Sequence, residues 1–346
     1  MTNVTFSGMK ILVPAIAIVL LASGCSSGGS AEAEGEGLGE ESGASVDANG
    51  NTVYPLTVQN CDVDVTFDAA PERVILLESA PVTILHGLGV LDVVTLRAGL
   101  FPPAYYDDET NTAIEAIPSL GKDVDASGHL QISQEVVIAE QPELVLGLPD
   151  GITREGLADV GVSALIQPVY CPAGVGKTSF DSLYDQIESY GLIFDRNAEA
   201  AEMIESLQAR VTDAKAAVDP SEGRTAAVLY PTIGGGTGYA YGNTSMSQPQ
   251  LDAAGFTNVF ADVDERVFEV SLEELIARDP DVLVLLYGDG DPADIKAAVT
   301  ALPGADSLRA VANDDILVQR FNFTEPPTPL SVTGLETIID RFGTTP

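Results

Sequence analysis

The chain is 346 residues long and sets 52 Asp and Glu against 16 Lys and Arg, a formal net charge of −36. Such a shortage of cations excludes a protein that grips nucleic-acid phosphates through clustered Lys and Arg, and it disfavours adsorption to anionic lipid headgroups. Hydrophobic residues at 45% and charged residues at 20% exclude a disordered polyanion and leave apolar surface for one large domain or two of ordinary size.

Lys10 precedes an apolar run from Ile11 to Ala22, and Ser23-Gly24-Cys25 follows. A cationic end, a short apolar stretch and small residues before a cleavage point read as a secretory signal over residues 1–24. The run is too short for a membrane-spanning helix. The small residues before Cys25 resemble a bacterial lipobox, whose cysteine is acylated and becomes the first residue of the mature chain; Ala22 stands where that motif usually has leucine. The lipid, palmitate or a similar acyl chain, would hold the protein extracytoplasmically at the outer face of the plasma membrane; an ordinary signal with an incidental cysteine is the alternative. From Cys25 to Thr52 the chain is rich in Gly, Ser, Ala and Glu, with no aromatic residue before Tyr54. That composition predicts a flexible, self-repelling acidic tether over residues 25–52. In an oxidising compartment the remaining cysteines, Cys61 and Cys171, favour a disulfide over two buried free thiols.

Arg73 to Leu77 opens a first half as a strand. Ile84 to Val94 then reads as helix, glycine cap and strand. Ile132 to Leu146 is a short helix with Ser133 as N-cap, stopped by Pro142 and followed by a continuous apolar strand. Between Ser179 and Val218 two helices follow. Phe180, Leu183, Tyr184 and Ile187 mark the first, and Ala200, Met203, Ile204, Leu207 and Val211 mark the second, which runs from about Asn197 to Val218. At 1.5 Å per residue the second spans roughly 30 Å, about a domain diameter. The second half then repeats the first. Arg224 to Tyr230 is its opening strand, Gln250 to Phe260 echoes Ile84 to Val94, and Val270 to Val284 matches Ile132 to Leu146 at the Ser, Glu, Ala and Pro positions. Asp315 to Arg320 is a later strand. Alternating strands and helices predict an α/β fold: two Rossmann-like lobes with parallel sheets, residues 53–178 and 220–346, joined through residues 179–219 by one long backbone helix.

Four segments carry a family resemblance: Ala70-Pro71-Glu72-Arg73-Val74-Ile75-Leu76-Leu77, the two Ser-x-Glu…Pro repeats, Ala254-Gly255-Phe256-Thr257-Asn258-Val259-Phe260, and the central helix. In this order and spacing the chain from Val53 onward resembles the substrate-binding proteins of ABC importers, in the helical-backbone clamshell group that carries ferric siderophores, haem and cobalamin. The resemblance implies a lipoprotein that holds a ferric siderophore between its lobes, at the carboxyl ends of the strands, with cobalamin or haem as the alternative cargo. It also implies partners, an ABC permease with its ATPase. Glu135 and Glu273, each seven residues before its helix-ending proline, stand where the family docks glutamates onto permease arginines. One carboxylate per rigid lobe can report lobe separation to a partner with two cations. A first-turn glutamate that merely complements the helix dipole is the plainer alternative.

Candidate ligand residues lie on loops that follow strands. In the first half these are Glu78-Ser79-Ala80-Pro81, Arg97 with Tyr105 and Tyr106, and Ser127-Gly128-His129; in the second, Tyr230, Tyr239, Tyr241, Arg266, Tyr287, Arg320 and Phe321. Tyrosines offer flat apolar area plus a hydroxyl, and an arginine in the cleft would neutralise an anionic iron chelate. Each arginine has the alternative of a surface salt bridge. His129, six residues before Glu135, stands where the family has a pocket residue, whereas His86 among Ile84, Leu85 and Leu88 reads as core. Two histidines and three cysteines are too few for a bare-metal site, and neither a resident metal nor a cofactor is expected. No enzyme is expected either, an extracytoplasmic α/β enzyme being the remaining alternative. Gly174-Val175-Gly176-Lys177-Thr178 lacks the first glycine of a phosphate loop, Gly234 to Gly238 has the wrong spacing for a dinucleotide fingerprint, and Gly24 to Gly28 lies in the processing site rather than on a hydrolase elbow.

Overall fold

The computed structural model describes residues 45–124, 129–172, 174, 176–218, 223–233 and 238–343. The predicted signal, Cys25 and most of the tether lie outside the described residues, as do Ser127, Gly128 and 234–237. The chain is already folded from Ser45. Asp47 accepts the amides of Asn49 and Asn51 at 2.8 and 2.9 Å, closing a polar turn. Thr52 then binds the Asp195 carboxylate and the Leu192 carbonyl, and Tyr54 the Ile193 carbonyl. The stretch predicted as tether to Thr52 therefore ends in a segment held by side-chain hydrogen bonds, which need no apolar core.

Strands β1 (Leu56–Asn60) and β2 (Val63–Phe67) form an antiparallel hairpin. Its two turn residues, Cys61 and Asp62, both have positive φ, 55° and 59°, the backbone a two-residue turn of primed type requires. Cys61 is joined to Cys171 by a disulfide with Cα atoms 5.1 Å apart.

The first large sheet is built from β3 (Val74–Leu76), β4 (Val94–Ala98), β5 (Ser119–Gly121), β6 (Leu144–Leu146) and β7 (Ser163–Leu165). They lie in the order β5-β4-β3-β6-β7 and all neighbours are parallel. The inner strands β3 and β6 are buried at every position, as strands covered on both faces must be. After β3 the chain moves outward to β4 and β5, then crosses back to β6. The strand order therefore reverses beside β3. Helices α1 (Val82–Gly87), α2 (Asp108–Ala116), α3 (Gln134–Ala139) and α4 (Arg154–Ala158) make the connections.

Helix α5 (Phe180–Ile193) starts at a reciprocal cap between Ser179 and Ser182. Helix α6 (Asn197–Ala216) is the long helix expected from the 3.6-residue period, 20 residues or roughly 30 Å. The second sheet follows: β8 (Thr225–Tyr230), β9 (Gly238–Tyr241), α7 (Ser247–Ala253), β10 (Thr257–Asn258), β11 (Val267–Val270), α8 (Leu272–Arg278), β12 (Val282–Tyr287), α9 (Pro292–Thr300), α10 (Arg309–Ala312), β13 (Ile316–Arg320) and α11 (Pro329–Phe342). Its order is β11-β9-β8-β12-β13, with β10 beside β8. Here the expectation of a parallel sheet needs a correction. β9 is antiparallel to β8 and β11 is antiparallel to β9. The loop from Tyr230 to Gly238 is too short for the crossover a parallel neighbour requires.

The sequence repeat survives as geometry. Each short helix leaves through a left-handed residue directly before its proline, Gln141 (φ 52°) before Pro142 and Asp279 (φ 41°) before Pro280. The capping differs between the copies. Ser271 accepts the Glu274 amide at 3.1 Å, while Ser133, expected to do the same, makes no backbone cap bond and its hydroxyl turns to the Glu135 carboxylate. His86, read as core, is half-buried at the last turn of α1.

The apolar residues show how the sheets are joined. One continuous core runs from β3 and β6 through Ile84 and Leu85 of α1, Leu183 and Ile187 of α5, and Leu207 and Val211 of α6, to Val228, Val284 and Leu335 of the second half. The long helix is thus part of a shared core, with α1, α5 and α11 packed beside it. The outer face of each sheet has its own smaller cluster.

The disulfide closes a loop with a sequence separation of 110 residues. Replacing both Cys61 and Cys171 by serine is expected to lower the unfolding free energy by about 2–5 kcal/mol, checked by denaturant unfolding monitored by circular dichroism.

Candidate ligand-binding crevice

In both sheets the strand order reverses at the centre, so the connections diverge there and leave room above the carboxyl ends of the strands. In the first sheet that place is held by Glu78 and Ser79 after β3 and by Gly147 after β6. In the second it is held by Tyr230 at the end of β8, Tyr287 and Gly288 at the end of β12, and Arg320 at the end of β13.

These two sets of strand ends meet. The Asn322 amide N–H donates to the Tyr105 hydroxyl at 3.1 Å, and Asn322 Nδ2 donates to Ser79 Oγ at 3.1 Å. The Tyr105 ring packs edge-on against Phe323, centroids 5.6 Å apart, and against Tyr106 at 6.0 Å. Tyr230 packs edge-on against Phe321 at 6.0 Å and accepts the Gly288 amide at 3.2 Å. Tyr106 donates to the Ser79 carbonyl at 3.3 Å. Five of the sequence candidates, Tyr105, Tyr106, Tyr230, Arg320 and Phe321, therefore belong to one aromatic seam between the sheets.

The three candidate arginines are each positioned by acceptors already in place. Arg97 spends its Nε–H on the carbonyls of Ile114 and Ile117, at the C-terminal end of α2, and lies over the Phe101 ring at 5.2 Å. Arg320 gives one Nη–H to the Gly288 carbonyl at 2.8 Å and covers the Tyr287 ring at 5.0 Å. Arg266 reaches from the second half over the Tyr170 ring of the first at 5.1 Å, with Glu325 3.4 Å away. A guanidinium has five donors, so Arg97 and Arg320 keep terminal N–H groups beyond those held by these carbonyls.

Two acids lie under this seam. Glu325 is fully buried and accepts the Met246 amide at 2.6 Å besides facing Arg266. Burial pushes its carboxyl up to about 7, against the pull of Arg266 and the Met246 amide. Burial raises Glu78 to about 7 as well. Glu78 is densely surrounded by protein and keeps some accessible surface. Burial also raises Tyr105, to about 12, and pushes Tyr106, Tyr170 and Tyr241 higher. These phenols stay protonated at neutral pH, and the Tyr106 proton is already given to the Ser79 carbonyl.

The remaining candidates are distributed elsewhere. Tyr241 is buried on β9. Tyr239, two residues earlier and so on the same face of the strand, is 41% exposed, because it lies near the strand's start, opposite the exposed Glu269. His129 is exposed, its Nδ1 3.8 Å from the Asp150 carboxylate. Glu135 and Glu273 are both exposed, in the first turns of α3 and α8. The amide of Glu135 itself and the Ser133 hydroxyl hold the Glu135 carboxyl below its usual range. Among the described residues no group of three or more His, Cys, Asp or Glu could hold a metal ion, and no helix is long and apolar enough to cross a membrane. Reading the sequence singled out neither Tyr170 nor Glu325. The signal available was an acid inside the apolar, proline-rich stretch after β13.

The periplasmic binding protein family matches residues 74–321 of the chain. The chain belongs to that family. Among solved structures, an ABC-type Fe3+-hydroxamate transport system from Saccharomonospora viridis DSM 43017 is 66% identical, with a TM-score of 0.81 over 84% of this chain and 100% of that one. The heme-binding protein RhuT from Roseiflexus sp. RS-1 shares the fold at 19% identity and a TM-score of 0.61, over 78% of this chain and 97% of its own. The vitamin B12 binding protein BtuF of Vibrio cholerae shares it at 17% and 0.56, over 79% and 96%. No curated protein matches the chain. Proteins of this family bind substrates for transport outside the cytoplasm.

The buried acid makes a prediction about pH. The Glu325 carboxyl is raised in the folded state, so its contribution to stability is complete below the unfolded value of 4.5 and is lost as pH rises to about 7. Glu325→Gln should remove this loss, on the order of 3 kcal/mol, and the variant should gain on the wild type between pH 5 and 7.5 in calorimetric melts.

Proposed function

We propose that this chain captures a ferric hydroxamate siderophore in the crevice between its two α/β halves and delivers it to an ABC permease with its ATPase, tethered to the membrane by a lipid on Cys25. The observation that carries the reading is the convergence of tyrosines and arginines from the strand ends of both sheets, Tyr105 and Arg97 on one side, Tyr230 and Arg320 on the other. Neutral phenols and guanidinium N–H groups are donors matched to hydroxamate oxygens, and the rings cover the apolar arms of such a chelate. The 66% identity to the Fe3+-hydroxamate transport protein supports the same cargo.

Delivery needs a contact outside the crevice. Glu135 and Glu273 suit it, because each stands exposed at the start of a short helix and the two belong to different halves. Fork-shaped arginines on a permease would pair with both only at one separation of the halves.

Calorimetric titration of the mature protein tests the cargo. A ferric trihydroxamate should bind, while haem and cobalamin should give no comparable heat; tight binding of either in its place would overturn the reading. Arg97→Ala and Arg320→Ala should each weaken the trihydroxamate by about tenfold or more. Reversing both docking acids, Glu135→Lys with Glu273→Lys, should abolish uptake of iron-labelled chelate by cells and leave affinity in solution unchanged. A fall in affinity instead would remove the division of roles between crevice and docking acids.

A further inference from the structure

Glu78 stands directly after β3, the strand beside which the order of the first sheet reverses. Its room is provided by Gly147 at the end of β6. That residue has φ +93°, and a Cβ built there would come within 2.9 Å of the glutamate Cγ. The carboxylate is thus seated between the ends of the two central strands, one residue before Ser79, which Asn322 and Tyr106 bind in the aromatic seam.

Its surroundings are unlike those of the other acid. Glu325 has Arg266 and the Met246 amide as partners. Glu78 takes part in none of the salt bridges among the described residues. The Gln167 amide approaches it without closing a well-formed hydrogen bond, because Gln167 is turned so that its oxygen accepts from Gln186 at 2.6 Å. From the other elements packed around the site, Tyr190 of α5 and Tyr170 are neutral phenols whose ionisation Glu78 opposes. Around Tyr170, therefore, two carboxylates, Glu78 and Glu325, stand against one guanidinium, Arg266. A carboxylate in such a place either gains a cation or gives up its charge.

We propose that Glu78 is the counter-ion for a cationic group of the bound chelate, so that the crevice prefers ferric hydroxamates bearing a pendant ammonium. The inference rests on the hydroxamate reading of the cargo and adds to it the substituent that is recognised. Three hydroxamates, each having lost one proton, cancel the charge of Fe3+. The net charge of the chelate is then that of its arms, and an ammonium N–H donating to Glu78 supplies the missing positive charge.

Ferrioxamine B, a ferric trihydroxamate with a terminal primary ammonium, and its N-acetylated form, which is neutral, separate the possibilities in calorimetric titrations. At pH 8 the wild type should bind the ammonium form at least about tenfold more tightly than the acetylated one. Glu78→Gln, which keeps size and shape, should bring the two within about twofold by weakening only the ammonium form. The wild-type preference should also shrink on going from pH 8 to pH 6, as the Glu78 carboxyl becomes protonated, while affinity for the acetylated form stays level. Equal binding of both chelates by the wild type overturns this inference and leaves the hydroxamate reading intact; binding of neither removes both. A preference that survives Glu78→Gln overturns it too. Should that variant fail to fold, a wild-type preference that does not change between pH 8 and pH 6 is the overturning result.

Discussion

The structure depends on burying the apolar faces of two sheets against one shared set of helices. Strands β3, β6, β8 and β12 are too apolar to leave either face in water, and the faces turned toward each other close over α1, α5, α6 and α11 as one continuous core. A helix held by both sheets at once cannot swing with one of them. The inner faces therefore fix where the two sets of strand ends lie, and those ends meet along one line through Tyr105, Ser79 and Asn322.

Along that line the chemistry is set by desolvation. Phenols stay neutral, and two carboxyls are raised toward neutrality because water is displaced from around them. Arg97 and Arg320 are oriented by the helix-end carbonyls of Ile114 and Ile117 and by the Gly288 carbonyl. Donors held in place in this way lose little freedom on binding, and in a site with few water molecules each contact counts for more than it would on the surface. The surface is a different medium. Glu135 and Glu273 are exposed there, in the first turns of α3 and α8.

Much of this was legible in the residues. The 3.6-residue periods of α5 and α6 and the continuous apolar runs of β6 and β12 are local signals, and they appear where the periods put them. The duplicated Ser-x-Glu…Pro segment appears twice as helix, left-handed exit, proline and strand. Of the tyrosines and arginines on loops after strands, Tyr105, Tyr106, Tyr230 and Arg320 come together along the seam, because strands of one direction bring their carboxyl ends to one edge. The illegible parts are those in which two solutions share one pattern. Tyr239 and Tyr241 look alike in the chain and share a face of β9, yet the one near the strand's start is exposed and the other is buried, because only the second has neighbours packed over it. Ser133 and Ser271 occupy equivalent positions, and only one makes its backbone cap bond.

By itself, then, the sequence determined the periodic elements, the duplication, the acidic surface and the kinds of side chain available at strand ends, because each of these is written within a few neighbouring residues. Only the tertiary structure decided that Tyr170, Arg266 and Glu325 stack into one group, that Glu78 makes no salt bridge among the described residues, and that β9 runs against its neighbour. Residues 78, 170, 266 and 325 are far apart in the chain. Their proximity and the low dielectric around them arise only when the two sheets close over the same core, and charge balance is a property of that closed space.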